Sequence, residues 1–285
     1  LLTLLLCLLG GTPSFLAAQA APAPQLRSQS VLVLDSADGS VIYSRHADQA
    51  APIASITKLV TALVVLDAGL PLDEELTITQ ADRSRTDNLP SRLAVGTQLT
   101  RRELLQLALM SSENRAAQAL GRNYPGGEAA FLRKMNEKAR AIGMLHAHFE
   151  DPTGLSDHNV ASPSDLAKLV MAANQNELVR EYSTAPSRIV AVGRQRLEFH
   201  NTNPLVRDPN WQVLVQKTGH IAAAGQCLVL QAVIDGRQVV MVLLNSVGKY
   251  TRVADARRMR QWLAKWLSVA PAGEEPRLVK TSAPS

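Results

Sequence analysis

The sequence predicts an α+β fold in which both ends of the chain build one antiparallel sheet and a helical lobe fills the middle. Three observations carry this. Residues 31–45 read as a hairpin, the stretch from Ala54 through the helix start at Ser162-Pro163 carries capping signals and apolar positions at helical spacing, and residues 188–246 return to strand-like runs. No internal repeat and no linker cuts off a second domain, so a single domain over residues 31–268 is expected.

Taken in order, the first twenty residues read as a secretory signal. An apolar run from Leu1 is broken only at Thr3, and small residues then lead to the cleavage pattern Ala18-Gln19-Ala20. Neither a Met nor a basic segment precedes the run, so the signal is expected to be truncated at its start. The run is too short to span a bilayer, so no stable transmembrane anchor is expected. Cys7 follows Leu6 rather than a small residue, unlike a lipid-attachment cysteine. Residues 21–30, rich in Pro, Ala and Ser, are expected to form a mobile leader.

VLVLD and VIYSR flank a turn at Asp38-Gly39. From Ser55 the pattern of Ile56, Leu59, Val60, Leu63 and Val64 predicts a buried helix. Residues 70–99 are irregular. Thr100 and Glu103 form a capping box for a helix through Met110, and a second helix runs from Asn114 to Gly121. A further helix spans Gly127 to Ile142, with Gly143 in a helix-ending position, and Ser162-Pro163 opens another. RIVAV, RLEFH, WQVLVQKTG, CLVLQAVID and VVMVLLNS are the later strands, with Asp235-Gly236 as the last tight turn. A helix carrying Trp262, Leu263, Trp266 and Leu267 is expected to pack on the sheet. Residues 269–285 are expected to be a disordered tail.

The 285 residues are 46% hydrophobic and 19% charged, an ordinary globular balance. Net charge is +5, but aromatics are only 4% and no basic and aromatic patch interleaves, so no nucleic-acid partner is expected. The basic balance reads first as a solvated surface, and second as attraction to an anionic polymer or a membrane face. Signal cleavage leaves Cys227 as the sole cysteine, in an apolar segment where an inert buried thiol is expected.

The chemistry begins with Ser55 and Lys58, which share one helical face three residues apart. Burial lowers a lysine pKa, and a neutral amine can take a serine proton. Taken alone, the pair is more commonly a capping serine beside a snorkelling lysine. Two further elements, Ser112-Glu113-Asn114 at a helix junction and Lys217-Thr218-Gly219 at a strand end, make chance a poor explanation for all three together.

S-x-x-K, S-x-N and K-T-G in this order resemble the serine acyl-enzyme superfamily of β-lactamases and penicillin-binding proteins. The stretches PIASITKLVTALVVLD, LLQLALMSSENRAAQAL, DPTGLSDHN, SPSDLAKL, HNTNPL and QKTGHIAAAGQCLV resemble its low-molecular-mass serine DD-peptidases. After Gly219 there is room for two strands, a helix and a tail, which resembles the short endopeptidase branch, the penicillin-binding protein 7 type. The resemblance implies a β-lactamase/transpeptidase-like fold and a periplasmic enzyme acting on peptidoglycan peptides, with β-lactams as covalent inhibitors and no metal or cofactor. It implies Ser55 as nucleophile, Lys58 as base and Ser112 in proton relay. Asn114, Lys217, Thr218, Gly219 and His220 would bind substrate, His220 through its backbone N–H, while Gly219 would let the acyl chain lie close to the strand. Ile221 departs from the threonine that many carboxypeptidases of the family carry, which weakens the case for terminal D-Ala removal. The same machinery serves a D-Ala-D-Ala carboxypeptidase. A β-lactamase would need a glutamate in an E-x-x-L-N setting, which Glu150 in EDPTG does not supply. A non-catalytic peptidoglycan-binding module would not need the full set of catalytic side chains.

Overall fold

The computed structural model describes residues 22–85, 89, 91–269 and 279–280, so the expected signal segment and most of the expected tail lie outside the described residues. Strands β1 (Ser28–Asp35) and β2 (Val41–Arg45) form the hairpin. A short strand β3 (Ala51–Pro52) leads into a 3₁₀ turn at Ala54–Thr57 and helix α1 (Lys58–Asp67). The segment expected to be irregular holds β4 (Glu75–Thr77), α2 (Gln80–Arg85) and β5 (Gln98–Thr100), with β4 and β5 paired. Helices α3 (Arg101–Met110), α4 (Asn114–Arg122) and α5 (Gly127–Ala141) follow. The expected capping box forms at Thr100 before α3, and the helix start expected at Ser162-Pro163 opens α6, where Ser162 and Asp165 also make a capping box.

A short β6 (Val160–Ala161) pairs with β3. Helices α6 (Pro163–Asn174) and α7 (Glu177–Thr184) complete the lobe, α7 being an element that the sequence patterns did not single out. Strands β7 (Ser187–Val192) and β8 (Gln195–His200) come next, then β9 (Gln212–Ile221), β10 (Gly225–Ile234), β11 (Arg237–Ser246) and α8 (Thr251–Val269).

The main sheet has the order β12-β2-β1-β11-β10-β9, where β12 is Val279–Lys280. Its centre is the antiparallel pair β1–β11, with Val33 opposite Met241, so the two ends of the chain meet there as expected. Three expectations are corrected. Among the described residues, strands β7 and β8 pair only with each other, because alternation marks a strand without naming its partner. The leader stops short of residue 30: Ser28 is buried in β1, and its N–H and hydroxyl both donate to Asp255 of α8 at 2.7 Å. The expected disordered tail contains β12, parallel to β2.

The central strands are apolar on both faces because the sheet is covered twice. Leu32, Leu34, Val240, Val242 and Leu244 pack on the helical lobe. Val31, Val33, Leu228, Leu230, Met241 and Leu243 pack with Val253, Ala256, Met259, Trp262 and Leu263 of α8. Successive side chains alternate between the two cores, as strand geometry requires. Strand β9 closes one edge of the sheet, and its K-T-G segment lies against the turn that begins α1.

Candidate active site

Ser55 lies in the 3₁₀ turn and Lys58 is the first residue of α1, so a tightened turn replaces the continuous helix expected from Ser55. Ala54 takes φ 51°, and that strained turn presents the half-buried Ser55 at the cleft. The Lys58 amine is fully buried and has three neighbours: Ser55 Oγ at 2.9 Å, Asn114 Oδ1 at 2.7 Å and the Thr153 carbonyl at 2.6 Å. Two of these are carbonyl oxygens that can only accept. A neutral amine satisfies them with its two N–H bonds and keeps its lone pair for the Ser55 hydroxyl to donate to. Burial lowers the Lys58 pKa to about 7, against the upward pull of the Asp151 and Glu113 carboxylates.

The Thr153 carbonyl is held by a loop whose centre is Asp151. That carboxylate accepts from the backbone N–H groups of Thr153, Gly154 and Ser156 and from the Thr153 hydroxyl. Thr61 donates to the Pro152 carbonyl at 2.7 Å, and Asn159 bridges Thr57 and the Asp151 carbonyl, which fastens the loop to α1. Gly154 has φ +83°, and a Cβ there would stand 2.0 Å from the Ala54 carbonyl oxygen.

Ser112 also occupies a left-handed conformation, at φ 61°, between α3 and α4. The buried Lys217 amine donates to its hydroxyl at 2.8 Å and to the Thr218 carbonyl at 2.8 Å. Burial, then the nearby charges of Lys58 and Arg252, hold the Lys217 pKa well below the ordinary lysine range. Thr218 shares a hydroxyl contact of 2.6 Å with Thr202. At Gly219 a Cβ would meet the Ile53 carbonyl at 2.8 Å and the Ser55 nitrogen at 3.2 Å, so the turn that carries Ser55 is a close neighbour of this strand. His220 is exposed, with Nδ1 3.0 Å from the Gly225 carbonyl, and Ile221 is half-buried against the helical-lobe core.

All three motifs therefore converge on one cleft between β9 and the lobe. Sequence reasoning missed Thr153, Asp151, Thr202 and Arg252. Thr153 acts through its backbone and carries no side-chain signature, whereas DPTG and HNTNPL were visible without a role attached. Arg252 donates to the Gly219 carbonyl at 2.6 Å. Glu150 meets His148, His158 and Ser156, and none of these is a cleft residue. His146 and His148 lie against different carboxylates, Asp165 and Glu150. Cys227 is buried, and burial pushes its thiol up to about 11. No helix among the described residues is long and apolar enough to cross a membrane.

Known proteins resemble this chain over most of its length. Residues 17–248 match the family described as D-alanyl-D-alanine carboxypeptidase, peptidase family S11. The chain is 48% identical over 241 residues to a D-alanyl-D-alanine endopeptidase of Pseudomonas aeruginosa, covering 84% of this chain and 78% of the relative. It is 45% identical over 249 residues to one of Escherichia coli, covering 87% and 80% respectively. The crystal structure of the Streptomyces K15 DD-transpeptidase superposes with a TM-score of 0.78 at 27% identity, over 85% of this chain and 98% of that one. With its α+β architecture, its three convergent motifs and these relatives, the chain belongs to the D-alanyl-D-alanine carboxypeptidase family of serine DD-peptidases.

Proposed function

We propose that the protein is a peptidoglycan endopeptidase that cleaves D-alanyl–diaminopimelate cross-links through an acyl-enzyme on Ser55. The observation that carries this is the Lys58 amine, lodged between two carbonyl acceptors with the Ser55 hydroxyl as its third neighbour. Ser55 Oγ attacks the D-alanyl carbonyl as Lys58 takes its proton. The backbone N–H groups of Ser55 and His220 stabilise the tetrahedral oxyanion. Collapse breaks the C–N bond, and the leaving amine receives a proton through Ser112, which is hydrogen-bonded to Lys217. Water then hydrolyses the ester, returning the proton to the serine.

Asn114 bonds Lys58 through Oδ1, and its Nδ2 serves the substrate amide carbonyl. Lys217 and Thr218 face the carboxylate of the leaving residue, or that of a penicillin, which acylates the same serine. Gly219 keeps that strand close to the nucleophile's turn. No step calls for a metal. Peptidoglycan lies outside the cytoplasm, so the protein works in the periplasm, with residues 1–20 as its export signal. The relatives named as endopeptidases favour cross-link cleavage over terminal D-Ala release, the alternative served by identical machinery. Digestion of purified muropeptides tests the choice by mass analysis. Cross-linked dimers should fall to monomers faster than pentapeptides lose D-Ala. Free D-Ala as the main product, with dimers intact, would overturn the endopeptidase assignment.

A further inference from the structure

A groove of about 1120 Å3 opens beside the K-T-G strand, between the β9–β10 turn and the loop from β11 into α8. Its inner end is formed by His220 and by Thr202, whose hydroxyl meets that of Thr218. In the proposed mechanism Ser112 and Thr218 serve the leaving residue, and the Thr202–Thr218 contact joins that side of the site to the groove.

The groove is lined by Lys249, Arg252 and Arg257 and by no aspartate or glutamate. Arg252 is committed to the Gly219 and Cys227 carbonyls, and Arg257 pairs with Asp208 at 3.1 Å. Lys249 has no ion pair among the described residues; its amine lies 5.5 Å from the centre of the Tyr250 ring. Tyr250 is 72% exposed and Val247 65% exposed, an apolar lip beside an uncommitted cation. That lip is fixed in place. Thr251 donates to the Gly248 carbonyl through its N–H at 3.2 Å and its hydroxyl at 2.6 Å, and the Ser246 and Thr251 hydroxyls meet at 2.7 Å. The first turn of the nineteen-residue α8 carries no acidic residue, so its positive end adds to the field.

We propose that this groove is the subsite for the leaving strand of the cross-link, a peptide bearing free carboxylates. Lys249 pairs with one of them, and Tyr250 covers the aliphatic stem of the diamino acid. The inference rests on the endopeptidase reading for the identity of the ligand. The probe is the unamidated tetrapeptide L-Ala-γ-D-Glu-diaminopimelyl-D-Ala, which cross-link hydrolysis releases, titrated calorimetrically into Ser55→Ala protein.

Adding Lys249→Glu should raise Kd at least about fivefold, the upper range for an exposed ion pair. Tyr250→Ala should raise it as well, and amidating the peptide carboxylates should weaken binding to the parent. Lys134→Glu, a charge reversal on α5 away from the groove, should leave Kd unchanged, and melting temperatures check that each variant is folded. No binding by the parent, equal binding of the amidated peptide, or an unaltered Kd in Lys249→Glu would each overturn the proposal. The two readings fail separately. D-Ala release as the sole activity together with the expected titration would sink the endopeptidase assignment alone. Efficient cross-link cleavage with an unaltered Kd in Lys249→Glu would sink the groove alone.

Discussion

Lys58 has no exposed surface, so its protonation follows from burial and from what its three polar neighbours can donate or accept. With a pKa of about 7, the amine is mostly neutral above that pH and charged below it. Acylation by a labelled penicillin should therefore rise with pH to a midpoint near that value and then level off. Glu113→Gln removes one of the charges that pull the pKa upward, so its midpoint should move to lower pH. A wild-type profile still rising at the ordinary lysine range would show that another group is the base. Lys58→Arg keeps a cation that does not deprotonate and should lose at least ~100-fold in acylation rate, while near-normal acylation would remove Lys58 from the mechanism. At this scale the site was largely legible in the sequence. Ser55, Lys58, Ser112, Asn114 and Lys217 stand out by side-chain type at recognisable spacings, and the fold joins them by hydrogen bonds. The Thr153 carbonyl was not legible, because a backbone oxygen can belong to any residue type.

Among elements, the loop at Asp151–Gly154 bears most directly on that lysine, since it delivers the carbonyl that orients the amine. Gly154 sits at φ +83° with the Ala54 carbonyl in the place of a Cβ. Gly154→Ala should therefore push the loop away from the turn that carries Ser55 and cost roughly 1–3 kcal/mol, the usual range for an unfavourable backbone conformation, before any clash is relieved. Its melting temperature and its acylation rate should fall together; a variant normal in both would mean the loop does not support the amine. Capping boxes, the first hairpin and the Asp235-Gly236 turn could be read from sequence because each depends on residues close together in the chain. The pairing of β7 with β8 alone, and the two-residue β12, depend on contacts between distant segments, which a local pattern does not encode.

Across the whole molecule, a sheet covered on both faces separates the catalytic lobe from α8. Leu59 follows Lys58 on α1 and is buried in the lobe core, while Leu263 is buried in the α8 core on the opposite face. Truncating either to alanine should cost about 2–5 kcal/mol, since each removes a fully buried leucine and leaves a cavity. The consequences for chemistry should differ. Collapse around Leu59→Ala moves the turn of helix that carries Lys58, and acylation tolerates little misplacement of reacting groups. Collapse around Leu263→Ala is absorbed behind the sheet, several turns along α8 from the Arg252 contact with Gly219. At a temperature where both variants remain folded, Leu59→Ala should acylate markedly more slowly than the parent and Leu263→Ala at close to the parent rate. Equal slowing in the two would mean that the sheet transmits packing changes from one face to the other, and that the cleft depends on α8 for more than a stable platform.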